Sequence, residues 1–268
     1  RAEAGLEVNT VFYAQRGDQQ CVLKIGLPHP EQLTEIEALR LFSSDKVVNV
    51  LDWDEPKRAL LMERVRPGRS LRSLLDNPEL DCELINYAAP LLVSIQVPAD
   101  NNCQLPTYQN WLKRGFEPVT SGQVPRLAAH VELASSFNRA LNRKWRDVSV
   151  LHGDLHHDNI LQDSRLGWVA IDPKGVVGPR IFDCGRFIHN FLPYPTQEPT
   201  RSRSQVSDAD LILKRCQRLS ELSSYPVDDL IAVGFIDLTL AICWTFADGD
   251  PVNYRSLDAF ANLLKNPG

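Results

Sequence analysis

The sequence predicts an α+β chain of two unlike parts, a small β-rich N-terminal part over residues 1–65 and a larger, mainly α-helical part over residues 66–268. Three observations carry this. Short β-rich runs such as Cys21-Val22-Leu23-Lys24-Ile25 and Ala59 to Val65 dominate the beginning, apolar repeats at helical spacing dominate the remainder, and Pro67-Gly68 falls where the character changes. A chain of 268 residues is long enough for two lobes that share a cleft and bury a real core.

Taken in order, the strand-like runs extend from Leu6 to Val65, with Arg16-Gly17-Asp18 and Asp54-Glu55-Pro56 as hairpin turns. One helix interrupts them: after Pro28 and Pro30, Leu33, Ile36, Leu39 and Phe42 recur at three-residue spacing along one face. In the strand before it, Cys21, Leu23 and Ile25 face one side and Val22 and Lys24 the other. Beyond Pro67-Gly68 helices are expected near residues 70–75, 84–95, 126–141, 208–222 and 228–246. A short β segment over residues 159–172 breaks the helical region, and a Pro-, Ser- and Arg-rich stretch over 192–207 reads as a surface loop.

Composition narrows the function. With 29 basic and 34 acidic side chains the net charge is -5, which argues against a surface for nucleic acid or anionic lipid. The six cysteines lie far apart with no C-x-x-C pair and are expected as reduced thiols of a cytoplasmic protein. The longest apolar stretch, residues 230–247, contains Gly234 and Asp237, and a mid-bilayer aspartate is costly, so a buried helix rather than a membrane span is expected. The sequence opens at Arg1 with no signal-like run, as if inside a longer chain.

The segment richest in chemistry is Leu151-His152-Gly153-Asp154-Leu155-His156-His157-Asp158-Asn159, followed by Ile171-Asp172-Pro173. If residues 160–162 pair antiparallel with 168–171 around a turn at 163–167, the open end of the hairpin sets Asn159 opposite Asp172. An amide oxygen and a carboxylate there suit a hard cation such as Mg²⁺. Asp154, on the preceding loop, is placed to accept a proton from an attacking hydroxyl. A zinc hydrolase is the rival reading of the crowded His152, Asp154, His156, His157 and Asp158, but His29, His130 and His189 form no recognised ligand pair with them.

These blocks resemble the aminoglycoside phosphotransferases, in particular the streptomycin 6-kinase and hydroxyurea phosphotransferase branch, and in order they resemble protein kinases. The resemblance covers most of the chain. It implies a two-lobed protein-kinase-like fold that uses ATP and Mg²⁺, with Asp154 as catalytic base, Asn159 and Asp172 as metal ligands, and His152 bracing the loop. By the same resemblance, His156 stands where protein kinases place a lysine near the γ-phosphate. Lys24 is implied as the clamp on the α- and β-phosphates, held by Glu35 or alternatively Glu37; Glu35 shares a helix face with Leu39 and Phe42. Residues 60–65 lead out of the sheet as a hinge, where kinases pair the base with main-chain groups, here the Glu63 carbonyl and the Val65 amide. The kinases' full Gly-rich phosphate loop is absent: Gly5 alone precedes the first strand.

On the acceptor side, Glu221 to Asp258 holds seven acidic residues against one arginine, and Asp237, Trp244 and Asp248 fall on one helical face. An aromatic plate between carboxylates suits a cationic small molecule. Three functions are therefore carried forward: an antibiotic kinase of the streptomycin or hydroxyurea type, a kinase of a metabolite alcohol such as a sugar or choline-like compound, and a nucleotide-binding regulator without turnover. The base and metal ligands oppose the last. The sequence is silent on oligomeric state.

Overall fold

The computed structural model describes residues 9–26, 30–75, 81–100, 102–190, 207–247 and 254–265. Strands β1 (Asn9–Arg16) and β2 (Gln19–Gly26) form a hairpin in unbroken register from Asn9↔Gly26 to Arg16↔Gln19, around the expected turn at Gly17. β3 (Val50–Asp54) and β4 (Ala59–Glu63) form the second hairpin, and the sheet runs β1-β2-β4-β3. Between the hairpins lies helix α1 (Pro30–Leu41), whose Ile36 and Leu39, with Phe42 just beyond, join the same core as Leu60 and Met62 of β4. Leu33, expected on that face, is 40% exposed because it lies in the helix's outer turns.

A short strand β5 (Pro67–Ser70) opens the larger part. Residues 70–75, expected as a helix, form only a 3-10 turn over Leu71–Leu74. Helices α2 (Asp81–Ser94), α3 (Tyr108–Thr120) and α4 (Ala128–Lys144) follow, with β6 (Val97–Pro98) and β7 (Ser149–Leu151) around them. The expected hairpin is β8 (Ile160–Asp163) and β9 (Gly167–Ala170), paired Ile160↔Ala170 to Asp163↔Gly167 and flanked by β5; β10 (Val176–Gly178) joins β7 and β6. The chain closes with α5 (Asp183–His189), α6 (Asp208–Ser223), α7 (Val227–Ala247) and α8 (Arg255–Lys265).

Helix α7 is the axis of this part. It is long and apolar enough to cross a membrane by length and composition, yet it is buried almost throughout from Leu230 to Cys243 by α3, α4, α5, α6 and α8. Asp228 and Asp229 in its first turn complement the helix dipole. Ser207 caps α6 by accepting from the Asp210 amide, and Ser224 ends it in a left-handed conformation. The rest of the 192–207 stretch lies outside the described residues.

Besides the chain crossing near residue 65, the two parts are tied at the α1 side. The Val48 amide donates to the Ala170 carbonyl (2.9 Å) and the Ala170 amide to the Lys46 carbonyl (2.7 Å). The Thr34 hydroxyl donates to the Lys174 carbonyl (2.6 Å), and Glu37 accepts from the Gln104 amide (2.8 Å).

Candidate active site

Lys24 projects from the face of β2 that also carries Val22, as strand alternation requires. Its ammonium is 5% exposed and donates to both oxygens of Glu35 on α1, at 2.8 and 2.7 Å, and to Asp172 across the cleft. Burial opposes the charge on Lys24, but the two carboxylates outweigh it and hold its pKa above the usual lysine value. Burial pushes the Glu35 carboxyl up to about 8 against the pull of Lys24. Asp172 titrates below the usual carboxylate range because Lys24 outweighs its burial. Glu37, the alternative partner, faces away toward Gln104.

Asp172 follows the end of the hairpin. The Ile171 amide donates to the Asn159 carbonyl (2.9 Å), which extends the β8–β9 ladder and brings Asn159 alongside the Ile171-Asp172 step. Asp172 has φ of 59°, a left-handed conformation that costs an ordinary residue about 1 kcal/mol. The Asn159 side-chain amide donates to the Asp154 carbonyl (2.9 Å), which commits its nitrogen and turns its oxygen to the opposite side. An oriented amide oxygen beside a half-exposed carboxylate is a donor set that fits Mg²⁺. Among the described residues no group of three or more His, Cys, Asp or Glu side chains converges as a metal site, so the crowded histidines do not form the zinc alternative.

The loop carrying Asp154 is held from below. Asp183, at the start of α5, accepts from the backbone amides of His152 (3.0 Å) and Gly153 (2.8 Å) and from Gln96 (2.8 Å). Burial raises its pKa despite those donors. His152 Nε2 lies 2.9 Å from the Ile171 carbonyl, which can only accept, so this nitrogen carries the proton; Nδ1 then accepts from the Asp154 amide (3.2 Å). Burial lowers the His152 pKa, in keeping with a neutral strut between the loop and the Ile171-Asp172 step. Gly153 has φ of 77°, and a Cβ there would meet Trp111 and Val176 at 2.9 Å, so a larger residue would displace the loop.

His156 Nδ1 accepts from the Asp158 amide (3.2 Å), and its Nε2 lies 3.3 Å from the Asn159 side-chain nitrogen and 3.9 Å from Asp154 Oδ2. Burial lowers its pKa.

A cleft of about 280 Å³ lies between the sheet and the hairpin, lined above by Val22 and Tyr13, behind by Met62, Glu63 and Val65, and below by Leu161 and Ile171, with Lys24 and Asp172 at its inner end. Tyr13, which the sequence reading passed over, is 75% exposed and packs under the Arg64 guanidinium, 4.2 Å from its ring centre. It occupies the upper wall that a Gly-rich loop would cover. A larger cavity of about 520 Å³ opens beside Trp53 and Arg165, but none of Asp154, Asn159 and Asp172 lines it.

The acceptor-side expectations fare differently. Asp237 is 2% exposed and its carboxylate is occupied by Tyr108, His189 and Arg186, so burial takes it away from any ligand. Trp244 is partly buried, edge-on to Trp111 with ring centres 5.7 Å apart. Asp248 lies outside the described residues. Among the other carboxylates of that region, Glu221 pairs with Arg218, Asp229 with Lys144 and Asp258 with His130. Counting acidic residues along the sequence could not show that these charges are already balanced. Sequence reasoning also missed Asp183 and Arg186, although polar residues at 183, 186 and 189 in an otherwise apolar run mark one polar helix edge.

A β-rich lobe carrying a Lys–Glu pair, set over a helical lobe that presents an acidic loop and hairpin, defines a kinase-like protein. Solved structures agree on the fold: choline kinase LicA from Streptococcus pneumoniae superposes with a TM-score of 0.62 at 15% identity, covering 98% of this chain and 90% of that one. Aminoglycoside phosphotransferase APH(4)-Ia gives 0.62 at 15%, covering 99% and 93%. Residues 7–220 match the aminoglycoside/hydroxyurea antibiotic resistance kinases, and the chain belongs to that family. It is 30% identical over 190 residues to streptomycin 6-kinase of Streptomyces griseus (66% of this chain, 57% of that protein) and 37% identical over 186 residues to streptomycin 3''-kinase of Klebsiella pneumoniae (67% and 64%). The chain thus spans less than two thirds of the length of these relatives.

Proposed function

We propose that this chain transfers the γ-phosphoryl group of ATP to a hydroxyl of a small molecule, of the streptomycin or hydroxyurea kind for which its relatives are named. The observation that carries this is the meeting of Lys24, Glu35 and Asp172 at the inner end of a cleft, beside a braced loop that bears Asp154. Adenine lies between Val22 and Leu161 with its edge on the Glu63 carbonyl and Val65 amide, and Lys24 holds the α- and β-phosphates. Asn159 and Asp172 would hold Mg²⁺, which would supply neutralisation of charge on the phosphates. Asp154 accepts the proton of the acceptor hydroxyl, and His156 stands beside the transferred group. Transfer of this kind rests on positioning and electrostatics more than on covalent chemistry, which suits a site whose loop is fixed by His152 and Asp183. Six free cysteines accord with a reducing cytoplasm.

The test is ADP release from MgATP with a panel of streptomycin, hydroxyurea, choline and simple sugars. Turnover with streptomycin or hydroxyurea supports the antibiotic reading. Turnover confined to choline or a sugar replaces it with a metabolite kinase, and ATP binding without any turnover leaves the regulator. A cationic acceptor is further expected to show a KM that rises with salt, as screening weakens its attraction to carboxylates.

A further inference from the structure

Beside Asp154 lies a charge cluster that the transfer mechanism above does not use. A carboxylate as buried as Asp237 is costly unless paired. It collects partners from two other helices: the Tyr108 hydroxyl of α3 at 2.9 Å, and from α5 His189 Nε2 at 2.6 Å and Arg186 Nε at 3.1 Å. Burial works against the charge of Asp237, but Arg186 with the two hydrogen bonds holds its pKa down at about 2, so it is a fixed anion. Arg186 Nε lies also 3.3 Å from Asp154 Oδ1. One guanidinium therefore stands between two carboxylates, one permanently buried and the other on the loop.

We infer that Arg186, seated on the buried Asp237, is a positioning residue for Asp154, holding its Oδ1 so that Oδ2 is presented to the acceptor hydroxyl. The assignment of oxygens follows from the flanking contacts, since Oδ2 is the one on the His156 side, 3.9 Å from Nε2. Two like charges facing each other without the guanidinium would repel, and the side chain of Asp154, the one on a loop, would turn away. Both contacts are ion pairs at Nε, so a lysine, as a point charge, reproduces them in part. Asp237 thereby gains a role at the site, though not the contact with a cationic substrate that its sequence position suggested. This inference rests on the reading of Asp154 as the base.

The test uses ADP release from MgATP alone, with water as acceptor, so that the acceptor's identity does not enter. Arg186→Ala is expected to lower kcat by about 10²-fold, the scale of a misplaced catalytic group, with KM for ATP unchanged. Arg186→Lys is expected to retain part of the rate, and added methylguanidinium to restore part of it to the alanine variant, which a purely structural role would not allow. A kcat within about threefold of the parent overturns the inference, as does a loss that neither lysine nor methylguanidinium recovers. If the alanine variant does not fold, Asp237→Asn serves instead: a lowered kcat at constant KM for ATP supports the inference, and an unchanged kcat overturns it. If the parent and Asp154→Ala release ADP alike, the reading of Asp154 itself has failed, a result separate from any outcome at Arg186.

Discussion

An aspartate held in a left-handed conformation, as Asp172 is, has to be replaced with care, because Asn tolerates that backbone and Ala does not. Asp172→Asn is therefore the clean removal of charge, and it is expected to weaken MgATP binding measured by calorimetry while binding of ATP without Mg²⁺ changes little; unchanged MgATP affinity would remove Asp172 from the metal. Asp154→Ala should do the opposite, lowering kcat by ~10²- to 10⁴-fold as loss of general-base assistance does, with MgATP affinity intact. Glu35→Gln is expected to raise KM for ATP because Lys24 loses its partner at 2.7 Å, whereas Glu37→Gln, whose carboxylate serves the Gln104 amide, should leave it alone. If the effects are reversed, the lysine works with a different partner once nucleotide is bound.

At the scale of elements, the contact that fixes α5 under the loop is its close approach to α7, which Gly185 permits: a Cβ there would meet Asp237 Cβ at 2.9 Å and the Val233 carbonyl at 3.0 Å. Gly185→Ala is expected to destabilise the fold by ~1–3 kcal/mol, the usual cost of overpacking, seen as a lower melting temperature; a variant as stable as the parent would mean the helices part easily. The same region shows what the sequence displays and what it hides. The β8–β9 hairpin was legible from a short-range pattern, a turn between β-rich runs, whereas the Lys24–Glu35 pairing came from the resemblance to kinases, with the helix phase of Leu39 and Phe42 favouring Glu35 over Glu37. Helix α3 was passed over although Tyr108, Trp111, Leu112, Phe116 and Val119 carry helical spacing behind the Thr107 cap, for Gly115 and Pro118 broke the pattern. Helix α5 has seven residues, too few for a period, and strands β6, β7 and β10 have two or three each. That Asp237 faces Arg186 rather than a ligand depends on where α5 packs, which no local pattern encodes.

For the molecule as a whole, four of the six histidines, His152, His156, His157 and His189, have pKa values lowered by burial from the ordinary 6.5. The unfolded chain takes up protons at these sites before the folded one does, so stability is full above pH 6.5 and falls as pH drops below it, by up to ~1.4 kcal/mol per pH unit for each imidazole. Glu35, raised to about 8, works the other way, its contribution being present below 4.5 and lost as pH rises through 8, and Asp183, also raised by burial, acts in the same sense, but these are two groups against four. The urea midpoint is accordingly expected to be lower at about pH 5.5 than at about pH 7.5; an equal or higher midpoint would mean the histidines charge without cost. The ties between the two parts bear on how such a molecule opens. The chain crosses near residue 65, and the backbone bonds of residues 46 and 48 to Ala170 make a second attachment apart from it. With the Thr34–Lys174 and Glu37–Gln104 contacts they clasp α1 and the β3 edge of the sheet to the helical part. Any opening of the cleft has to bend or break these contacts, the Lys24–Asp172 ion pair among them.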